Sequence, residues 1–334
     1  MIEVNVKGST GFLGQFAEII GSKVENGIVK IPKDKGKGYF RGFLLGSSIG
    51  MMIGDFESND PILVKRKVDP NSNEKILLSF NNIFHSKDDV TGSLFSESVS
   101  KANDLPYVQI VKGGINIEKL YPGKTRFRSI MISIDVESLK KLLGPNEENV
   151  IYKNITMNNQ PLLFEEILSP QIQKVALEII EGDVPESMCE FYYRVKAEEL
   201  ICRLFIELLK RENTTVHALN QNDVQLVYKI RAKILSKLDT PPVLSDLASE
   251  AGMGESKLSR LFKQIFGNSF FNYYQSFRMK EAARLLKENK LSVSEVGYQI
   301  GFSSLSHFTK IFEKHIGMKP KKYSSAKSPF RRSQ

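Results

Sequence analysis

Residues 291–323 read LSVSEVGYQIGFSSLSHFTKIFEKHIGMKPKKY. Ser292 followed by Glu295 is the signature of a capping box, in which each side chain bonds a free backbone N–H at the start of a helix. Apolar residues then recur at helical spacing, and Gly301 interrupts them with the residue type that most easily enters a tight turn. The stretch therefore predicts two short helices joined by a turn, a helix-turn-helix over residues 292–317.

An upstream segment repeats this pattern. Residues 243–267 read VLSDLASEAGMGESKLSRLFKQIFG, with Gly252 in the place of Gly301 and Gly267 in the place of Gly317. One such match alone is also typical of an αα-hairpin that serves only packing. Two copies, each with a turn glycine followed by a polar-faced helix, favour DNA recognition over a purely structural helical domain.

The positive charge of the chain is concentrated in the same region. From Asn220 onward there are 20 Lys and Arg against 9 Asp and Glu, whereas the rest of the chain has 27 against 29. The formal net charge of +9 at pH 7 therefore comes entirely from the C-terminal third. Clustered cations bind polyanions because each neutralised phosphate releases condensed counterions. A basic region that binds any acidic surface is the alternative, and its coincidence with two second helices favours DNA.

The second helix of each unit carries the candidate base-reading residues, because exposed residues near its start reach base edges in the major groove. Arg260 is the strongest candidate, since a guanidinium bonds O6 and N7 of guanine together. A phosphate contact or an ion pair within the domain is its alternative. The full set is Ser256, Ser259 and Arg260 in the first unit and Leu305, Ser306, His307, Thr309 and Lys310 in the second. The candidate phosphate-binding residues are Lys257, Lys263, Lys314, Lys319, Lys321 and Lys322.

These residues resemble a known family. The R-L-F-K run that starts at Arg260, the G-F-S-S-x-S-H-F run that starts at Gly301 and the G-x-x-P-x-x-Y run that ends at Tyr323 are similar to the DNA-binding domain of AraC/XylS-type transcription regulators. The resemblance covers roughly residues 228–323, and the match is strongest to the siderophore branch, the pyochelin-regulator-like proteins. Two features depart from the family pattern: the first unit has short serines at its reading positions, and Val243 provides no side-chain cap.

The resemblance implies more than the residues do. It implies a β-rich, cupin-like sensor domain that binds a small-molecule effector, with a ferric siderophore-like compound as one candidate. It also implies a homodimer, double-stranded promoter DNA and RNA polymerase as partners, and activation as the sign of regulation. The expected function is that of a sequence-specific, ligand-responsive transcription factor.

Residues 1–134 predict a mostly β domain, a sandwich or small barrel, because short runs of apolar and β-branched residues alternate with turn residues. The stretch up to Gly36 is ambiguous between a helix and an extended approach to the sheet. Most apolar residues of these strands must form the core. The candidate pocket residues are Tyr39, Phe40, Phe43, Met51, Met52, Phe56, Phe80 and Phe84, with Arg41, Lys65, Arg126 and Arg128 as candidate partners of an anionic ligand.

Beyond the strands the hydrophobic period becomes helical, so the fold class predicted is α+β. Residues 135–212 are expected to be helices that dimerise or pack internally, residues 213–222 a linker, and residues 223–326 an all-α DNA-binding domain. Residues 327–334 are expected to be a basic tail. A chain of 334 residues can bury a core in each of two such domains.

The sequence gives little support to catalysis. Only His85 of the four histidines falls in the strand region, and no phosphate-binding loop or nucleophile elbow is present, so we expect neither cofactor nor metal. Cys189 and Cys202 are expected to be free, buried thiols in a cytoplasmic protein. No apolar run reaches the ~18 residues that span a bilayer, and no signal sequence opens the chain. A DNA-repair or DNA-modifying enzyme and a ligand-independent DNA-binding protein are the alternatives.

Overall fold

The computed structural model describes residues 2–7, 12–67, 75–84, 105–113, 115–145, 148–158, 160–211, 217, 219–287 and 291–325. These residues form two compact units, of which the first ends at Val224 and the second begins at Gln225. The first unit is rich in strands and the second is helical, which confirms the predicted α+β class. Within the described ranges, every helix is too short or too polar to span a membrane.

The strands of the first unit form two sheets among the described residues. The large sheet has the order β11-β8-β7-β10-β5-β4-β3-β2, and its neighbouring strands are antiparallel. The small sheet has the order β1-β6-β9, with β1 and β6 parallel. The strands are β1 (Ile2–Lys7), β2 (Val24–Glu25), β3 (Ile28–Lys30), β4 (Gly36–Leu45), β5 (Ile49–Ser58), β6 (Ile62–Lys67), β7 (Lys75–Asn81), β8 (Tyr107–Lys112), β9 (Ile117–Tyr121), β10 (Arg126–Asp135) and β11 (Leu162–Ile167).

The helices divide between the two units. Helices α1 to α5 belong to the first unit, α6 begins at its end, and α7 to α12 belong to the second. Their bounds are α1 (Phe12–Ile20), α2 (Val136–Leu143), α3 (Val150–Thr156), α4 (Pro170–Glu181), α5 (Cys189–Leu208), α6 (Gln221–Ser236), α7 (Leu244–Ala251), α8 (Glu255–Phe266), α9 (Phe270–Lys287), α10 (Val293–Gln299), α11 (Leu305–Ile316) and α12 (Pro320–Ser325). Helix α1 resolves the ambiguity that the sequence leaves before Gly36.

The two faces of the large sheet build two separate cores, because successive side chains of a strand point to opposite faces. On β5, Ile49 and Ile53 belong to one core with Leu200 of α5. Phe56 of the same strand belongs to the other core, together with Phe16 of α1. Helices α4 and α5 therefore pack on one face of the sheet, and α1 and the small sheet pack on the other.

The segment predicted to be helical contains a strand, so the prediction for residues 135–212 needs correction. Strand β11 lies between α3 and α4 and pairs with β8 at the edge of the large sheet. Leu162 and Phe164 point into the core that α5 shares, and Leu163 is buried as well. The free edge of β8 offers backbone groups that need partners, and pairing with them outweighs the local helical pattern.

The linker and tail predictions are only partly covered by the structure. Helix α6 already begins at Gln221, because the Asn220 side chain accepts a hydrogen bond of 2.7 Å from the backbone N–H of Asp223. Residues 213–216 and 218 of the predicted linker, residues 327–334 of the predicted tail and His85 lie outside the described residues.

Three of the cations that the sequence offers to an anionic ligand are already paired. Arg128 bonds Asp55 at 3.1 Å and Glu181 at 2.9 Å, and Arg126 bonds Asp55 at 2.8 Å. The Lys65 ammonium lies 2.8 Å from a carboxylate of β1. These side chains therefore stabilise the sheets instead of presenting free charge to a pocket.

The two cysteines occupy different environments. Both are free thiols, but only Cys189 is buried, whereas Cys202 is exposed on α5, so the prediction of a buried thiol is wrong for Cys202. The Arg41 guanidinium contacts the Cys189 sulfur at 3.5 Å and lies 4.8 Å from the centre of the Phe43 ring. Cys189 thus packs at the junction of β4 and α5.

A half-buried cation links the two sheets of the strand-rich compact unit. Lys119 of β9 donates a hydrogen bond to Asn81 of β7, and its Nζ lies 4.8 Å from the ring centre of Tyr121 and 5.5 Å from that of Tyr107. Burial lowers the pKa of Lys119 to about 7, and the charge of Glu165 opposes part of that shift. The interior between the sheets is therefore partly polar, which the sequence did not predict.

Candidate nucleic-acid interface

The second helix-turn-helix unit is fixed at each helix end by its own side chains and glycines. Ser292 and Glu295 form the predicted capping box before α10, with N–H···O distances of 3.2 Å and 2.7 Å. The Ser304 hydroxyl accepts a hydrogen bond of 3.3 Å from the backbone N–H of His307 and so caps α11. Helix α11 ends at Gly317, whose φ of 83° is left-handed.

The turn of the second unit depends on two glycines. Gly301 has a φ of +81°, and a Cβ there would lie 1.9 Å from the backbone oxygen of Asp239. A Cβ on Gly297 would lie 2.9 Å from Leu305 Cδ2 and 3.1 Å from a ring carbon of Phe308. Helices α10 and α11 can approach this closely only because Gly297 has no side chain, and Leu305 is partly turned towards α10.

The first unit has the same plan with fewer side-chain caps. Gly252 ends α7 with a φ of 61°, and Gly267 ends α8 with a φ of 71°, both left-handed. The residues that precede the two helices, Val243 and Gly254, form no side-chain cap hydrogen bond. The start of α8 is therefore held by packing, chiefly of the buried Leu258.

Helix α9 contacts both units. Arg231 of α6 donates a hydrogen bond of 2.7 Å to the Tyr273 hydroxyl, and the Tyr273 ring lies 5.3 Å from that of Phe262 on α8. Further along α9, the Nε of Arg278 donates to the carbonyl of Ile300 at 2.6 Å. Helix α9 is thus attached to the second helix of the first unit and to the turn of the second unit.

Arg278 is a buried cation that the sequence did not single out. Its side chain is 4% exposed, and its guanidinium carbon lies 3.9 Å from the ring centre of Phe302 and 5.5 Å from that of Tyr274. Desolvation lowers the pKa of Arg278, and Tyr274 and Asp239 counteract that shift. The only sequence signal was its place between the apolar Phe277 and Met279, and an arginine in a helix is usually read as exposed.

Most of the candidate base-reading residues face solvent. Arg260 and Lys310 occupy equivalent positions in α8 and α11, and both are exposed. The remaining exposed candidates are Ser256, Ser306 and His307, and the half-buried ones are Ser259, Leu305 and Thr309. The structure therefore brings a polar and cationic face to the surface of each second helix.

The candidate phosphate-binding lysines lie on α8, on α11 and in the stretch 319–322 that follows α11. Lys257, Lys314, Lys319, Lys321 and Lys322 are exposed, and Lys263 is half-buried. Two acidic residues, Glu255 at the start of α8 and Glu313 on α11, are exposed as well. Glu255 lies where the helix dipole favours a negative charge, so it competes with a phosphate for that helix end.

Desolvation and nearby positive charge both act on His315, a histidine in the last turn of α11. Partial desolvation, followed by the positive charges of Lys314 and Lys280, lowers the pKa of His315. The ring is therefore less protonated at neutral pH than an ordinary histidine. A phosphate that neutralised these lysines would raise its pKa again.

The comparisons with known proteins agree on the C-terminal region. A family described as a helix-turn-helix domain matches residues 247–326. The regulatory protein PchR of Pseudomonas aeruginosa is 28% identical over 183 residues, which are 54% of this chain and 60% of that protein. The probable transcription factor PqrA of Proteus vulgaris is 34% identical over 87 residues, 26% of this chain and 66% of that protein. Each match thus covers less than two thirds of the relative.

One solved structure is also similar to part of this chain. The AraC-type transcriptional regulator from Chromobacterium violaceum is 26% identical, with a TM-score of 0.30, over 32% of this chain and 95% of that one.

The two turn glycines allow a matched test of the second unit's geometry. Gly252→Ala places a Cβ in open space. It should therefore lower the free energy of unfolding only through the unfavourable left-handed backbone, by about 1–2 kcal/mol. Gly301→Ala adds a clash with the Asp239 carbonyl, so it should destabilise the second unit distinctly more. Thermal unfolding followed by circular dichroism measures both variants. Equal losses for the two would contradict the close approach at Gly301.

Proposed function

We propose that this chain, whose residues 247–326 form a helix-turn-helix domain of the AraC type, is a sequence-specific DNA-binding transcription regulator. The observation that carries the proposal is the pair of second helices, α8 and α11, each with an exposed cation at the equivalent position, Arg260 and Lys310. Helix α9 joins the two units through buried contacts, so the helices are presented as one rigid reader. Exposed lysines around them supply the phosphate contacts.

The rigid connection sets the expected mode of binding. Successive major grooves on one face of B-DNA are roughly 34 Å apart. The 18 residues of α9 span ~27 Å at 1.5 Å per residue. One chain therefore reads two short boxes about one helical turn apart, and the duplex bends where the protein spacing falls short of the groove spacing.

Arg260 is the residue to test first. Arg260→Ala should reduce discrimination at a single base pair by about 1–3 kcal/mol, because a bidentate contact to guanine is lost. Lys314→Ala, the matched control on α11, should weaken binding to all sequences alike and reduce the salt dependence. Competition binding with base-substituted duplexes at two salt concentrations measures both effects. A uniform loss in Arg260→Ala would reassign this residue to the phosphate backbone.

We also propose that the strand-rich compact unit, which ends at Val224, binds the small-molecule effector. The site is a groove on the α1 side of the large sheet. The groove has a volume of about 470 Å³, within the range of about 300–1,000 Å³ that is usual for ligand sites. Gly42 and Gly50 line its floor without side chains of their own, and Leu13 and the Ser133 hydroxyl lie directly over them. Met52 and Met131 lie beside the two glycines. Lys75 and Asp135, neighbours across paired strands, place one positive and one negative charge on the lining. A flat, mainly apolar ligand with an anionic group beside Lys75 fits these residues.

Part of the predicted pocket set lines this groove. Phe43, Met51 and Met52 do so, whereas Phe40 and Phe56 are in the core beneath α1 and Phe80 is in the core beneath α5. The ion pairs of Arg126, Arg128 and Lys65 leave those cations unsuited to the ligand. The suggestion that the effector is a ferric siderophore-like compound comes from the family resemblance alone.

A substitution that fills the groove tests the effector proposal. Ser133 faces Gly50 across the paired strands, so Ser133→Phe places a ring over the glycine floor. The affinity for the aromatic anion 1-anilinonaphthalene-8-sulfonate should fall about tenfold, because the apolar contact area is lost. Fluorescence titration measures it, and Leu120→Ala on the exposed side of β9 is the control. Unchanged affinity in Ser133→Phe would place the ligand elsewhere.

We propose that the chain forms a homodimer through α5. The inner face of this helix is buried in the core, whereas the outer face carries an apolar row. This row, the α5 stripe, consists of Met188 just before the helix and of Phe191, Val195, Cys202 and Ile206 on it. The side chains of Phe191 and Ile206 are 56% and 54% exposed. Spacings of three, four and seven residues place the row on one side of the helix, where a second copy can pair with it. Internal packing alone is the alternative.

Charges in the α5 stripe test the dimer. Ile206→Lys and Phe191→Lys should each weaken self-association by more than about tenfold, since each places an ammonium in an apolar contact. Leu142→Lys, which places the same charge at an exposed apolar residue on α2, should leave association unchanged. Sedimentation velocity at several protein concentrations distinguishes these results. A monomeric wild-type chain would refute the dimer.

The remaining parts of the proposal rest on resemblance. The resemblance implies that the protein activates transcription by RNA polymerase at a promoter. It also implies that the protein acts in the cytoplasm. The relatives reported above are named as regulatory proteins and not as enzymes. Among the described residues no group of three metal-binding side chains lies close together. A DNA-modifying enzyme therefore remains the weaker candidate.

A further inference from the structure

Three side chains of the second unit form a stack that ends at the solvent-facing surface. The guanidinium carbon of Arg278 lies 3.9 Å from the ring centre of Phe302. The Phe302 ring lies 5.5 Å from the His307 ring, and the two planes meet at 65°, an edge-to-face contact. Phe302 is 5% exposed, whereas His307 is exposed. A buried cation thus supports a buried ring, and that ring supports a candidate base-reading residue.

The backbone around this stack is fixed as well. The N–H of Phe302 donates to the Gly297 carbonyl at 2.9 Å, and the N–H of His307 donates to the Ser304 hydroxyl at 3.3 Å. Arg278 bonds the Ile300 carbonyl two residues before Phe302. The ring contact with Phe302 therefore restricts the orientations of the exposed His307 imidazole. A side chain ordered before binding loses less conformational entropy when it makes its contact.

The first unit lacks this arrangement. Met253 follows the turn glycine at the place of Phe302, and Gly254 precedes α8 without a side-chain cap. The reading positions at the start of α8 therefore have neither an aromatic support at that place nor a hydroxyl cap. The two units differ in how firmly they hold the first turn of the second helix.

We propose that Phe302, held in place by Arg278, is a positioning residue that orients the His307 imidazole towards a base edge, so that the second unit is the more selective reader. The proposal rests on the proposed DNA-binding function and adds to it. An imidazole offers a nitrogen donor and a nitrogen acceptor, which match the acceptor and donor groups that purines present in the major groove. A fixed ring distinguishes such edges, whereas a freely rotating one accommodates several.

The experiment uses the full chain and a duplex selected by it from a random library. Base-substituted duplexes then measure discrimination at each position for wild type, His307→Ala, Phe302→Leu and the double variant. Phe302→Leu should reduce discrimination about tenfold at the same base pair as His307→Ala. The double variant should lose no more than His307→Ala alone, because both changes remove one interaction. Phe302→Tyr, which keeps the ring, should retain discrimination.

Controls separate positioning from folding. Met253→Leu, the matched change in the first unit, should leave discrimination at that base pair intact. Thermal unfolding shows whether Phe302→Leu is folded at the assay temperature, and Arg278→Lys, which removes the planar guanidinium and keeps the charge, provides a second route to the same loss. The proposal is overturned if discrimination persists in folded Phe302→Leu and Arg278→Lys, if the two losses add in the double variant, or if binding falls equally on all duplexes. A wild type that selects no sequence would instead refute the proposed function itself.

Discussion

The second helix-turn-helix unit depends on the burial of one guanidinium, that of Arg278. Arg278 can lie in the interior only because the Ile300 carbonyl accepts from its Nε and the Phe302 ring covers its face. A buried charge without such partners would be strongly destabilising, so these contacts hold the turn against α9. The same turn contains Gly301, which packs directly on the Asp239 backbone. These contacts act together with the apolar core that Met279 and Leu286 of α9 share with Phe308 and Phe312 of α11.

The sequence was most informative where structure is set by neighbours along the chain. The capping box at Ser292 and the turn glycines located both helix-turn-helix units, because caps and left-handed turns depend on local residue types. The strand at Leu162–Ile167 was missed, because it forms by pairing with β8, a contact distant in sequence. The burial of Arg278 was missed for the same reason, since its carbonyl partner lies 22 residues away.

The candidate interface was predictable to the level of which side chains are exposed. Helical periodicity places Arg260, Ser306 and Lys310 opposite the apolar face, and the structure shows them exposed. The sequence did not predict that Leu305 packs over Gly297, because that contact depends on how α10 and α11 cross. The groove in the strand-rich compact unit could not be predicted from the sequence either. Gly42 and Gly50 become neighbours of Met52 and Ser133 only through the register of the paired strands.

Under the proposed function, the two helix-turn-helix units contribute unequally to selectivity. Cations supply attraction to any duplex and lose it as salt rises, and the net charge of the C-terminal third is large enough to make this term important. Selectivity instead needs side chains held rigidly against base edges, because a mobile donor accepts several partners. In the first helix-turn-helix unit Ser256 and Ser259 are short, so Arg260 is the one long candidate for base reading, and the start of α8 has no side-chain cap. In the second unit the cap at Ser304 and the ring of Phe302 restrain the first turn of α11. The duplicated motif therefore does not imply duplicated roles.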